Sequence, residues 1–159
     1  MIFDLQMFTL IHVLLSVLGI ITGLVVVGGF MAGARLDGWA KFFLATTILT
    51  SVSGFGFPFT NILPAHVVGA ISLVLLAACL IARYGKQLEG RWRATYVITA
   101  VAALYLNVFV LVVQLFRKTP PLAQLAPTQQ EAPFAVTQAL LFALFVWLGW
   151  AALRGFRRA

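Results

Sequence analysis

Long apolar runs broken by short polar joints set the pattern of this chain. Five stretches read as helices able to cross a bilayer: 7–31, 39–57, 63–83, 94–116 and 133–153. A crossing takes about 20 apolar residues at about 1.5 Å of rise each. The second stretch is the shortest and carries five hydroxyl side chains. It is still read as a span, because omitting it would put two like-charged joints on opposite faces of the membrane. The expected architecture is an all-α membrane protein, a single five-helix transmembrane bundle over residues 1–159. The joints are short apart from 117–132, so no soluble domain is expected within them. No internal repeat stands out, and an odd helix count argues against a duplicated transporter half.

Local chemistry marks several ends. Pro58 is expected to stop the second helix after Phe57, since proline lacks a backbone N–H and restricts the residue before it. Asn61 and Pro64 suit the start of the third, with proline in the first turn. Segment 119–133 reads T-P-P-L-A-Q-L-A-P-T-Q-Q-E-A-P. Its four prolines weigh against regular structure along its full length, although 122–125 suits one turn. It is read as a flap over one end of the bundle or a docking loop.

Composition supports lipid as the solvent. The chain is 62% hydrophobic and 9% charged, with a mean hydropathy of +1.04, whereas soluble domains carry about 25% charged residues. The net charge of +7 does not indicate nucleic acid, because Lys and Arg sit in short clusters between apolar runs. They act instead as an orientation signal. With the N-terminus outside, the inner segments hold Arg35, Lys41, Arg83, Lys86, Arg91, Arg93, Arg154, Arg157 and Arg158, and the outer ones only Arg117 and Lys118. Nine against two predicts N-out and C-in. Trp39 and Trp92 suit anchors at the inner face, while Trp147 and Trp150 fall in the inner half of the last helix. The opening residues carry Asp4 and no Lys or Arg, unlike a secretory signal, so the first helix is expected to be retained. The single cysteine, Cys79, lies inside an apolar run and is read as a small packing residue.

Candidate chemistry begins in the first stretch, where His12, Ser16, Gly19 and Gly23 recur at spacings of four, three and four. Such spacing stacks them along one stripe of a helix. The only other histidine, His66, lies a similar distance into the third helix, which runs parallel to the first. Both imidazoles therefore stand roughly 5–6 Å inside the outer boundary. That placement suits a shared haem b, with room beside it from Ser16, Gly19, Gly69 and Ala70, and with Arg117 and Lys118 available to propionates. It suits a quinone contact or proton handling equally, and a histidine near the interface bonding a loop carbonyl or water accounts for the same pattern.

Helix 2 carries two hydroxyl stripes, Thr46, Thr50 and Ser53 beside Thr47, Ser51 and Gly54. They serve helix packing or line a polar cavity. In the fourth stretch Asn107 and Gln114 share a face, and amides at this depth are expected to face protein, with helix 2 as the expected partner. A pocket, if present, is placed in the outer half among His12, Ser16, Thr50, Ser53, His66, Asn107 and Gln114. Gly19–Gly23 and Gly29–Gly33 both have G-x-x-x-G spacing and permit close backbone approach, within the chain or to a neighbour. No Asp, Glu, Lys or Arg falls in mid-membrane, which counts against active ion transport. There is no nucleophile–base pair, Walker loop, HExxH or C-x-x-C.

The segments W-A-K-F-F-L-A-T-T-I-L-T-S-V-S-G-F-G-F-P-F and Y-L-N-V-F-V-L-V-V-Q-L-F-R-K, followed by L-A-P-T-Q, resemble a group of small multi-pass proteins of the bacterial inner membrane. The resemblance implies that location and supplies no catalytic residues. The leading expectation is a non-catalytic accessory or structural subunit that packs against a larger membrane complex or a second copy of itself. The alternative is a haem b- or quinone-binding electron-transfer protein using His12 and His66. A small-solute channel or transporter comes third.

Overall fold

Apolar side chains on every face leave a helix nowhere to sit but inside protein or lipid, and the structure, a computed structural model, meets that demand with a bundle. It describes residues 4–58, 61–62 and 64–156. The expectations that fall on Leu63, Arg157 and Arg158 lie outside the described residues. The helices are α1 (Leu5–Met31), α2 (Asp37–Gly54), α3 (Pro64–Leu80), α4 (Trp92–Lys118), the short α5 (Pro120–Leu125) and α6 (Ala132–Phe156). A π-helical turn, Ile81–Gly85, continues α3. No strand occurs among the described residues.

Four segments are long and apolar enough to cross a membrane: Leu5–Met31, Pro64–Gly85, Trp92–Lys118 and Ala132–Phe156. The expected second span falls outside that set. α2 has 18 residues, about 27 Å at the helical rise, and five hydroxyls together with Asp37 and Lys41 lower its apolarity. It also ends at Gly54, three residues earlier than expected. Phe55 and Gly56 instead turn back to bond the carbonyls of Val52 and Ser53, a tight i to i−3 closure ahead of Pro58. In the 119–133 segment, Pro120 and Pro121 occupy the first positions of α5, where their missing N–H groups cost nothing.

α2 packs between α1 and α3, and α4 touches α1, α3 and α6. The core is polarised along the bundle. In α1 the buried residues run from Gly19 to Phe30, and in α4 they gather from Tyr96 to Leu104. Phe30, Phe43, Leu76, Tyr96, Leu104 and Phe156 form the densest part. Phe30, Tyr96 and Phe156 meet there ring to ring, Phe30 and Phe156 with centroids 4.8 Å apart. Cys79 is fully buried in the same cluster, consistent with its expected packing role. On the outside, Leu10, Leu14, Ile21 and Leu24 stand about half exposed along α1, a surface that suits a bilayer and not water.

Two glycine contacts explain how α1 sits so close to its neighbours. A Cβ on Gly23 would stand 2.7 Å from a Leu104 methyl carbon and 2.8 Å from the Phe43 ring. The Gly19–Gly23 pair therefore serves packing within the chain. Gly33 has φ +76° beyond the end of α1, so the Gly29–Gly33 spacing is a helix ending and not a helix face.

Arg83, expected at the end of the third span and among the inner-segment cations, turns back into the bundle. It is only 4% exposed, because the wider π turn carries it inward at the start of α4. Its guanidinium donates to the Tyr96 hydroxyl at 2.6 Å, pairs with Asp37 at the start of α2, and lies over the rings of Tyr84 and Tyr96. One side chain thus joins α2, the π turn and α4 at the tightly packed end.

Candidate functional site

At the other end the helices part, and a cavity of about 100 Å³ opens among α1, α2, α3 and α4. Its wall includes His12 and Ser16 from α1, Thr47, Thr50 and Ser51 from α2, His66 and Ser72 from α3, and Asn107 from α4. The rest is apolar or small, including Phe55, Gly69, Ala103 and Val110, and no lining side chain carries a carboxylate, ammonium or guanidinium group. The position follows from the sequence: small and hydroxylated side chains, which fill less volume, collect where the large apolar core residues stop.

Several of the polar wall residues are held by specific partners. His12 Nδ1 lies 2.7 Å from Ser53 Oγ, and Ser53 Oγ donates to the Thr50 carbonyl at 3.0 Å. Nδ1 is thereby engaged with Ser53, and Nε2 is the ring nitrogen left for another partner. Phe57 braces the same imidazole edge to face at 5.1 Å. Ser16 Oγ donates to Asn107 Oδ1 at 2.7 Å, and Asn107 Nδ2 returns a bond to the Ser16 carbonyl at 3.3 Å. The partner of Asn107 is therefore α1 and not helix 2. Gly19 allows this, since a Cβ there would stand 3.2 Å from Asn107 Nδ2. His66 is buried at 8% exposure and lies against the Phe55 ring, centroids 5.6 Å apart.

The structure brings His12, Ser16, Thr50, His66 and Asn107 to one cavity, with Ser53 directly behind His12. α2 packs against both α1 and α3, and the two imidazoles both line the cavity. Three expected members are elsewhere. Gln114 lies two turns beyond Asn107, and the α4 lining ends at Val110. Arg117 borders a separate hollow with Phe116, Ala126 and Gln129, formed where α4 turns into α5. Lys118, the last residue of α4, is likewise not on the cavity wall. Lys118 is nevertheless close enough for its charge to act on His12.

Size decides among ligands. The cavity is well below the roughly 300–1,000 Å³ typical of pockets for drug-sized molecules. It is near the roughly 150 Å³ of a void that admits benzene. Sequence reasoning did not single out Ser72 or Phe55. Ser72 continues the His66–Gly69 series at three-residue spacing, a signal the sequence carried, whereas Phe55 reaches the rim only because α2 ends early. Among the described residues no group of three or more His, Cys, Asp or Glu is arranged to hold a metal ion. The chain matches no protein-family model, no curated protein and no solved structure. What the fold and site define is an all-helical membrane-type bundle with an uncharged polar cavity.

Proposed function

We propose that this protein binds a quinone headgroup in the cavity between His12 and His66. One observation carries the reading: two imidazoles and several hydroxyls share a small cavity whose wall holds no carboxylate, ammonium or guanidinium group. A neutral, flat, lipid-soluble ligand with oxygens at its edge meets that description. The Phe55 ring at the exposed rim gives such a ligand a stacking face and yields readily to its substituents. The His12 and His66 imidazoles suit exchange of protons with the ligand's oxygens.

In this reading α2 spans the membrane with the other four long helices, the N-terminus is outside, and the membrane is the bacterial inner membrane. Support comes from Arg35, Lys41, Arg83, Lys86, Arg91, Arg93 and Arg154, which gather away from the cavity end, against Arg117 and Lys118 near it. The test is saturable binding of decylubiquinone by the purified protein in nanodiscs, at one per chain and weakened by His12→Ala. Partition no greater than into empty nanodiscs removes the reading.

A second reading, an accessory subunit bound to another membrane protein, is favoured by α6. Only 11% of its most apolar window is buried, against 39% for α4. Its buried residues Gln138, Phe145, Ala152 and Phe156 form a single seam at spacings of seven, seven and four. Trp147, Trp150, Phe142 and Val146 face outward. Co-purification from native membranes checks this; a monomer with no enriched partner removes it.

A further inference from the structure

Two hollows lie end to end along the crease between α4 and α6. One, of about 290 Å³ at the tightly packed end, is bordered by Gly90, Arg93, Val97, Leu153 and Phe156. The other, of about 380 Å³, continues along Val101 and Tyr105 of α4 and Gly149 and Phe142 of α6. Leu153 belongs to both. Val97, Val101 and Tyr105 follow one another at spacings of four and mark a single stripe of α4. The two hollows are one groove.

Its walls are apolar and its mouth is basic. Arg93 is the only charged side chain on either wall among the described residues. Arg93 Nη1 donates to the Phe156 carbonyl at 3.5 Å, and the guanidinium lies 5.7 Å from the centroid of the Phe156 ring, which places the charge at the mouth. On the other lip Trp150 lines the groove and carries the Arg154 guanidinium over its ring at 4.8 Å. The far end is closed by rings, Tyr105 meeting Phe142 and Phe145 with centroids 5.8 and 5.5 Å apart. The floor is low because Gly149 and Ala102 are small. A Cβ on Gly149 would stand 3.7 Å from Val101, an ordinary contact, so the helix packing does not demand glycine there. What its missing side chain leaves is depth.

We propose that this groove binds one anionic phospholipid, with the phosphate at Arg93 and one acyl chain laid between α4 and α6 as far as Tyr105. Length supports the occupant. Arg93 and Tyr105 are twelve residues apart, about 18 Å of helix, against about 15 Å for the hydrocarbon of one leaflet. Charge supports it too: the described residues at this end carry seven Lys or Arg against Asp37 and Glu89. A flexible acyl chain is thin enough to enter a crease between two packed helices. A helix packs at about 8–10 Å between axes and would ride on Ile98, Val146 and Trp150, each about half exposed along the lips. The chain gains little from transfer, since lipid surrounds it either way. The groove therefore contributes shape, and Arg93 contributes the preference for negative charge.

The experiment is native mass spectrometry of the full chain in detergent, titrated with phosphatidylglycerol or with phosphatidylcholine of the same acyl chains. Wild type is expected to saturate at one phosphatidylglycerol per chain and to bind phosphatidylcholine more weakly. Arg93→Gln lowers phosphatidylglycerol affinity about fivefold, the effect of one cation near an anionic headgroup, and leaves phosphatidylcholine unchanged. Arg91→Gln, which removes the same charge from an exposed neighbour, has little effect. Gly149→Leu fills the groove and lowers affinity for both lipids. If it also lowers the unfolding temperature, Ala102→Leu fills the same groove from the α4 side. Equal losses in Arg91→Gln and Arg93→Gln, full affinity in the groove-filling variants, or adducts that grow without saturating overturn the proposal. So does a second polypeptide from native membranes that crosslinks to position 149 and excludes lipid.

Discussion

Ser16 and Asn107, 91 residues apart in the chain, hold each other by two hydrogen bonds, hydroxyl to amide oxygen at 2.7 Å and amide nitrogen to backbone carbonyl at 3.3 Å. They are the polar link between α1 and α4 at the loosely packed end. Interhelical bonds in membranes average about 0.6 kcal/mol, with a maximum of about 1.7. Asn107→Leu is expected to cost about 1–2 kcal/mol by that scale, and Ser16→Ala less, since the backbone bond survives. A double-mutant cycle on reversible unfolding reads the coupling. Additive losses would show that the pair contributes through shape alone.

The Arg83 cluster leads to a ranking. Asp37 is 57% exposed at its side chain, so water screens much of its attraction for the guanidinium, and Asp37→Asn should cost about 1 kcal/mol or less. Arg83→Ala strips packing from two tyrosine rings and orphans the Tyr96 hydroxyl. About 2–4 kcal/mol is expected. Thermal unfolding in detergent gives the order, and equal losses would make the ion pair the dominant contact.

Two glycines should respond in opposite directions to the same change. A Cβ on Gly155 would run into the backbone of Phe30 and Met31, while one on Gly28 meets nothing within 4 Å. Gly155→Ala must push α6 from α1 at a cost of about 1–3 kcal/mol. Gly28→Ala should be neutral or stabilising by up to about 1 kcal/mol from helix propensity. Destabilisation by both, measured by thermal unfolding, would contradict the packing of α1 against α6.

In the joint before α6, the Glu131 carboxylate accepts the Thr128 hydroxyl at 2.7 Å and the backbone N–H groups of Gln130 and Thr128. These bonds, the Thr128 hydroxyl foremost, hold its pKa below the usual glutamate value. A depressed pKa stabilises the ordered joint above the unfolded-state pKa, and that contribution fades as pH falls through the folded value. Amide exchange at Thr128 and Gln130 should accelerate in acid, after correction for intrinsic rates, and Glu131→Gln should show the faster exchange already at neutral pH. A pH-independent joint would rule the clasp out.

Much of the bundle was legible in periodicity, because an apolar run long enough to cross lipid has few other places to go. The His12–Ser16–Gly19–Gly23 stripe was legible too, and its members face α2, α4 and the cavity. Three things were not. The π turn that carries Arg83 inward depends on where α4 begins relative to α3, which no local pattern encodes. The pairing of Asn107 with α1 depends on the order of helices around the bundle. Thr47 reads like its neighbour Thr46, yet the Thr46 hydroxyl bonds the Phe42 carbonyl and that of Thr47 has no partner.

The uneven distribution of large side chains makes the surrounding lipid a structural component. Around Phe30, Tyr96 and Phe156 the helices hold themselves together. Beyond Gly19 they have a few polar clasps and a void, so lateral pressure from the adjoining leaflet supplies the remaining closing force. Acyl-chain order and thickness there set the gap between the tips of α1 and α3. The same polypeptide is a tighter or a more open vessel according to the lipid it is dissolved in.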